Sequence, residues 1–102
     1  MATYFVSRHA GAIAWIQQEP IQIDHYLTHI HEDDLAMFQA GDDVIGILPT
    51  AIIADLNAKG VRYFHLSYRT PQALRGVELS AEQLRALGAC LQEFHVQRIE
   101  QQ

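Results

Sequence analysis

The apolar positions of the chain follow two spacings, one typical of buried strands and one typical of helices. Short runs of β-branched and aromatic residues predict strands, because such side chains suit a pleated, buried surface. Segments in which apolar residues recur every three to four positions predict helices. The predicted strands, in chain order, are Thr3–Ser7, Ile23–Ile30, Val44–Leu48 and Val61–Ser67. The predicted helices are Ala10–Gln18, a second from Pro49 to Lys59, and Ala81–Phe94.

The segments between these elements carry weaker signals. Ser80 followed by Gln83 is a capping box, which predicts the start of the third helix. A short helix is predicted over Asp33–Phe38, and the longest irregular stretch is Tyr68–Leu79. The tail His95–Ile99 alternates weakly and is a candidate for an edge strand.

Strands that alternate with helices predict an α/β fold, with a parallel sheet, right-handed crossovers and helices on both faces. We expect one Rossmann-like domain over residues 1–102, with the strand order three-two-one-four. The second strand has no cleanly apolar face, so it should be partly exposed. In this order strands one and four lie side by side, and the loops Ser7–Gly11 and Tyr68–Glu78 face each other. Ligands of such sheets bind at the carboxyl ends of the strands, where the strand order reverses.

The loop after the first strand carries a hydroxyl, a guanidinium and an imidazole in a row, on Ser7, Arg8 and His9. A helix start offers unpaired backbone N–H groups and a positive dipole end to an anion. The triplet therefore predicts a phosphate site. The alternative is an ordinary serine cap with a solvated arginine and a loop histidine. The triplet alone does not decide between them, because a strand–loop–helix start is a general feature.

Composition narrows the classes of partner. The 102 residues are 49% hydrophobic and carry a formal net charge of −5, which argues against disorder and against a broad basic face for double-stranded nucleic acid. Composition does not exclude a small polyanionic ligand that binds in one pocket. The single cysteine, Cys90, cannot form an intramolecular disulfide and fits a reducing cytoplasm. With no recognisable signal peptide or membrane-spanning stretch, we expect a cytoplasmic protein without a membrane partner.

The positive side chains are clustered. Of the seven lysines and arginines, Arg8, Arg69 and Arg75 fall in the two loops that are expected to meet. The planar fork of arginine matches phosphate oxygens, and Tyr68 could stack on a base. This clustering favours a nucleotide ligand. The alternative is that Arg75 pairs with Glu78 and only holds the loop.

The six histidines raise the question of a metal. His29 and His31 would share one side of a strand, and Glu32 and Asp33 follow them. However, no Cys-x-x-Cys or His-Glu-x-x-His spacing is present, so we expect no metal site. The chain also lacks a Walker A loop, a Gly-x-Gly-x-x-Gly fingerprint and a Gly-x-Ser-x-Gly elbow. We therefore expect no cofactor.

Four segments, which together extend over nearly the whole chain, resemble a known family. They are Tyr4–Trp15 with Ser-Arg-His-x-Gly-Ala-Ile-x-Trp, Gly41–Pro49 with Gly-Asp-x-Val-Ile-Gly-x-Leu-Pro, Gly60–Leu66 with Gly-Val-x-Tyr-x-His-Leu, and Arg75–Ser80 with Arg-Gly-x-Glu-Leu-Ser. This combination resembles the small CRISPR-associated proteins found beside type III systems and first described as a family of unknown role.

The resemblance implies a Rossmann-like fold related to CARF domains, the sensors of cyclic oligoadenylate. It also implies ring nuclease activity, which cleaves the messenger cyclic tetra-adenylate and turns off the antiviral response. The attacking group would be the ribose 2′-hydroxyl of the substrate, without a metal, and the products would be linear di-adenylates with a 2′,3′-cyclic phosphate end. A ring with four phosphates and rotational symmetry suits a homodimer that presents the same loops twice.

Residue roles follow as expectations from this combined reading. His9 is the expected general acid or base, Arg8 and Arg69 contact phosphate, and Ser7 orients the substrate. Arg75 with Glu78 shapes or closes the loop. The other expected ligand contacts are Gly11, Pro49, Thr50, Tyr68 and Thr70.

Two rival functions remain at this point. A non-catalytic sensor or sponge would use the same pocket and release the ring unchanged. A structural subunit of the CRISPR machinery would have no affinity for nucleotides, and it would leave the clustered loop arginines without a purpose.

Overall fold

A computed structural model describes residues 1–99 of the chain. Five strands form one sheet: β1 Thr3–Val6, β2 His25–Leu27, β3 Asp43–Gly46, β4 Arg62–Ser67 and β5 Cys90–Phe94. Three α-helices connect them: α1 Ala10–Gln17, α2 Thr50–Ala58 and α3 Ala81–Ala86. Two 3-10 turns, Glu32–Met37 and Gln72–Leu74, lie in the longer connections. The α/β prediction is therefore confirmed, and the first of these turns replaces the short helix expected over Asp33–Phe38.

The strand order is β2-β1-β3-β4-β5, with β1 to β4 parallel and β5 antiparallel to β4. The predicted neighbours β1 and β2 do pair, but the order three-two-one-four is wrong, because β3 lies between β1 and β4. Burial explains the difference. Val44 and Ile45 of β3 are almost fully buried, whereas His25 and Tyr26 of β2 are exposed. The most apolar strand thus takes the centre of the sheet, and the partly polar strand takes an edge.

Each face of the sheet is covered by helices, which gives two core layers. Alternate strand residues point to opposite faces, so that Val6, Val44 and Tyr63 pack beneath α2. On the other face Phe5 and Leu66 belong to the layer that also holds buried residues of α1 and α3, namely Trp15, Ile16, Ala81 and Leu84. The domain therefore has the three-layer arrangement of a Rossmann-like fold.

The third helix is shorter than predicted, and the expected helix over Ala81–Phe94 is wrong beyond Ala86. Gly88 has φ +80°, a left-handed conformation that ends helices. The chain then forms β5, and Leu91 packs in the core layer beside Leu66. Cys90 accordingly lies in an exposed edge strand rather than in a helix. The edge strand predicted for His95–Ile99 forms five residues earlier.

The observed strand order defines where a ligand can bind at the edge of the sheet. The connection after β1 leads to β2 on one side, and the connection after β3 leads to β4 on the other. Neighbouring strands whose connections leave in opposite directions open a crevice at their carboxyl ends. This switch point lies between β1 and β3, not between β1 and β4 as predicted.

Candidate functional site

A cavity of about 910 Å³ opens at the carboxyl edge of the sheet. Its walls come from the ends of β1, β2 and β3 and from the loop before α3. The polar side chains that line it are Ser7, Arg8, His9, Thr28, His29, His31, Tyr68 and Glu78. Residues from four separate parts of the sequence thus converge on the crevice that the topology creates.

The end of β1 is held by backbone hydrogen bonds. The Ser7 N–H donates to the carbonyl of Leu27 at 2.9 Å, which continues the β1–β2 ladder by one step. The Ser7 hydroxyl accepts from the N–H of His9 at 3.1 Å, and His9 itself is the N-cap residue of α1. Ser7 therefore orders the turn that presents Arg8 and His9 to the cavity, although it does not cap the helix directly.

His9 is paired with Glu78 across the cavity mouth. Its Nδ1 lies 3.1 Å and 3.2 Å from the two carboxylate oxygens of Glu78. Both side chains are more than half exposed, so the contact contributes little to stability. Because a carboxylate only accepts, the proton of the contact sits on Nδ1, and Nε2 of the neutral imidazole is left as a proton acceptor. The alternative pairing of Arg75 with Glu78 is wrong, since Glu78 contacts His9 instead.

Gly11 brings the two loops together by close helix packing. A Cβ atom on Gly11 would lie 1.6 Å from the carbonyl oxygen of Leu79, so only glycine allows α1 to approach this backbone. Leu79 is next to Glu78, and the contact therefore sets the distance between the Ser7–Gly11 loop and the loop before α3. The predicted meeting of the loops is confirmed, but it comes from helix contact and not from adjacent strands. Gly11 acts as a packing residue and does not line the cavity.

The end of β2 supplies two further imidazoles. His29 and His31 both line the cavity, with ring centroids 4.5 Å apart. Nδ1 of His29 lies 3.0 Å from the Thr28 hydroxyl, and the N–H of His31 donates to the Asp34 carboxylate at 2.8 Å. These histidines are placed by a strand end that is fixed to β1.

The end of β3 rests on a buried tyrosine. The Tyr63 hydroxyl donates to the carbonyl of Gly46 at 2.9 Å, accepts from the Leu48 N–H at 3.0 Å, and lies 2.6 Å from Nδ1 of His65. Burial raises the pKa of Tyr63 above its usual value, although the Leu48 N–H opposes the shift. The hydroxyl therefore stays protonated and fixes the cavity wall from Gly46 to Pro49.

The predicted arginine cluster is only partly assembled. Arg8 is the one arginine or lysine among residues 1–99 that lines the cavity. Arg69 and Arg75 are exposed and do not line it, because the loop turns outward after Tyr68 and the Arg69 N–H donates to the carbonyl of Leu87 at the end of α3.

Among the other expected contacts, Pro49, Tyr68 and Glu78 line the cavity, whereas Thr50 and Thr70 do not.

Sequence reasoning missed the role of His29 and His31 in this cavity. The sequence suggests them only as metal ligands, because the predicted second strand extends to Ile30. The signal that could have found them was the pairing of β2 with β1, which was predicted correctly. Parallel neighbours end at the same edge, so residues just after β2 had to lie beside Ser7–His9.

Two further features bear on ligand classes. Within the described part of the chain, no three His, Cys, Asp or Glu side chains are grouped as a metal ion would require. None of the helices in residues 1–99 combines the length and the apolar character needed to cross a membrane.

Comparison with family models identifies a relationship. A family model described as "Putative CRISPR-associated protein (Cas_VVA1548)" matches residues 4–97. No curated protein and no solved structure matches the chain. Since the family model covers nearly the whole chain, the chain belongs to this family of CRISPR-associated proteins.

Proposed function

We propose that this member of the CRISPR-associated family is a ring nuclease that cleaves cyclic tetra-adenylate. The observation that carries the proposal is the cavity at the carboxyl edge, where Arg8 and three histidines face one open space. Family membership supports a role in CRISPR defence. The sequence resemblance supplies the ligand, and the cavity offers groups suited to a phosphodiester.

The reaction needs positioning, charge neutralisation and proton transfer. The ribose 2′-hydroxyl attacks the adjacent phosphorus, the bond from phosphorus to the 5′ oxygen breaks, and a 2′,3′-cyclic phosphate forms. Holding the attacking oxygen in line and neutralising the developing charge supply much of such an acceleration. Arg8 has no side-chain partner among residues 1–99 in the structure and is free to contact a phosphate oxygen. The starts of α1 and α2 add backbone N–H groups at the same edge.

His9 is suited to remove the proton of the 2′-hydroxyl. Imidazole exchanges protons near neutral pH, and general bases of this kind contribute about 10²-fold to 10⁴-fold in rate. Glu78 at 3.1 Å keeps Nδ1 protonated and stabilises the imidazolium that forms. Glu78 therefore acts through His9, as a positioning group.

A second copy of the chain would complete the site. Cyclic tetra-adenylate carries four phosphates, while a single arginine among residues 1–99 lines the cavity of one chain. A two-fold dimer presents each loop twice and doubles the positive charge near the ring. The homodimer is thus part of the proposal.

The test is turnover of cyclic tetra-adenylate by the purified protein in excess chelator, with products separated by chromatography. We expect linear di-adenylates with a 2′,3′-cyclic phosphate end, and a loss of at least about 100-fold in kcat for His9→Ala. His95→Ala is the matched control, because His95 is exposed and lies outside the cavity. An intact ring in a tight complex would instead identify a sponge or sensor. An intact ring without binding would favour a structural subunit.

A further inference from the structure

The cavity contains a second imidazole, that of His29, to which the proposed mechanism assigns no role. His29 follows the edge strand β2, lines the same cavity as His9, and is exposed. Its Nδ1 is engaged by Thr28. An exposed strand end needs no histidine for packing, so the fold itself gives no reason for an imidazole there.

The positions of the two histidines follow from strand pairing. Val6 and Leu27 are register partners at the ends of β1 and β2, and the Ser7 N–H bond to Leu27 carries the ladder to the cavity edge. His9 lies three residues beyond β1, and His29 lies two residues beyond β2. The two imidazoles thus line one space from neighbouring strand ends, which the Ser7–Leu27 hydrogen bond joins.

Their hydrogen-bond partners differ in a way that matters for chemistry. Glu78 is acceptor-only, so it keeps the proton of His9 on Nδ1 and leaves Nε2 as a base. The Thr28 hydroxyl has lone pairs and can accept from the Nδ1–H of protonated His29, which leaves the Nε2–H of that imidazolium as the proton donor. One ring is then set to accept a proton, and the other is set to give one.

We propose that His29 is the general acid of the reaction and protonates the leaving 5′ oxygen through Nε2, in the cavity it shares with the His9–Glu78 pair. This inference rests on the proposed function. The balance is complete within the site: the 2′-hydroxyl proton passes to Nε2 of neutral His9, the 2′ oxygen bonds to phosphorus, the bond to the 5′ oxygen breaks, and that oxygen takes the Nε2 proton of the His29 imidazolium, which becomes neutral. Both rings return to their starting state when a proton passes back through solvent.

The test compares two substrates, ordinary cyclic tetra-adenylate and the analogue in which sulfur replaces each bridging 5′ oxygen. A thiolate leaves without protonation, so it does not need a general acid. His29→Ala should lower kcat by about 100-fold or more on the oxygen substrate but by less than about threefold on the sulfur substrate. His9→Ala should remain strongly impaired on both, because the 2′-hydroxyl still needs a base.

The controls keep this result interpretable. His29→Gln retains a polar side chain of similar reach and should behave as His29→Ala does, while His95→Ala should match the unmodified protein on both substrates. If His29→Ala loses activity equally on both substrates, or on neither, His29 is not the general acid. Ring cleavage by the unmodified protein still supports the proposed function in that case. Failure of the unmodified protein to cleave the oxygen substrate overturns both.

Discussion

The charged side chains at the two ends of the parallel sheet differ in whether the protein itself supplies their hydrogen-bond partners. At the amino end the acidic side chains are satisfied by the protein: Asp42 accepts from the N–H groups of Ala2 and Gln39, both at 2.9 Å, and Asp24 accepts from the Thr3 N–H at 2.8 Å. At the carboxyl end Arg8 and three histidines surround an open cavity. The difference separates groups that hold the fold from groups that are free to meet a ligand.

This separation explains how an acidic protein can present a site for a polyanion. The formal net charge is −5, yet Asp24, Asp42 and Asp43 lie at the edge opposite the cavity, and Asp43 is neutralised by Arg62 at 2.8 Å. The strands separate these carboxylates from the cavity, and solvent screens what remains. The net charge therefore says little about the charge at the site. Substitutions at the two ends of the sheet should therefore change different observables, namely stability at the amino end and turnover or binding at the carboxyl end.

The largest effect is expected for Gly11→Ala, which acts on the contact that joins the cavity loops. The added methyl would overlap the Leu79 carbonyl, so α1 and α3 must move apart. We expect a loss of roughly 3 kcal/mol in the free energy of unfolding, measured by urea denaturation, together with a loss of turnover. Gln17→Ala, at an exposed site on the same helix, should stay within about 0.5 kcal/mol. Unchanged stability of Gly11→Ala would show that the helices are not in this close contact.

Asp42→Asn should affect stability and leave the site intact. Asp42 is 6% exposed and has two backbone donors, and an amide can accept from only one of them well. We expect a loss of about 2 kcal/mol at pH 7 with turnover per folded molecule unchanged.

The same variant carries a pH prediction. The Gln39 N–H, with that of Ala2, holds the pKa of Asp42 below its usual value, against the effect of burial. A lowered folded-state pKa means that the stabilisation is complete above the unfolded value, near about 4, and is lost as pH falls through the lower folded value. The stability difference between the two proteins should therefore shrink as urea titrations move from pH 7 to below about pH 4. A difference that stays constant over this range would contradict the assignment.

Arg8→Ala should do the reverse and weaken binding without changing stability. One charge-assisted contact to phosphate is worth roughly 2 kcal/mol, or about 30-fold in Kd. Calorimetric titration of cyclic tetra-adenylate in a His9→Ala background measures it without turnover. Arg75→Ala is the matched comparison and should change Kd by less than about threefold, because Arg75 does not line the cavity. Equal losses for both would restore the arginine cluster that the sequence predicted.

The fold was largely predictable because most of its strands are short runs of β-branched and aromatic residues. The errors have physical causes. Tyr4–Val6 is aromatic and β-branched and forms β1, and Ser80 with Gln83 forms the predicted capping box. The sequence after Ala86 predicts a helix because Leu87 and Leu91 suit helical spacing as well as a strand. Tertiary pairing with β4 decided the outcome.

The site was predictable in its location and less so in its residues. Ser7, Arg8 and His9 follow a strand, and strand ends are where such sheets bind ligands. The direction in which a loop side chain leaves the sheet is not encoded in local spacing, so Arg69 was expected at a cavity that it does not line. The position of His29 at the cavity depends on the register of β2 against β1, which is a long-range property.

Glu78→Gln, at the carboxyl end of the sheet, should give the smallest of these effects. Glutamine can still accept from Nδ1 of His9 but no longer stabilises its imidazolium, so kcat should fall by about tenfold. KM should hold or fall, since a negative charge is removed beside a polyanion. Steady-state kinetics separates the two, and Glu82→Gln, an exposed acid on α3, controls for the change in net charge. If Glu78 acted only by repelling the ligand, KM would fall in the variant while kcat stayed unchanged. A slower kcat with tighter binding therefore distinguishes a group that acts through His9 from a loop charge without a role.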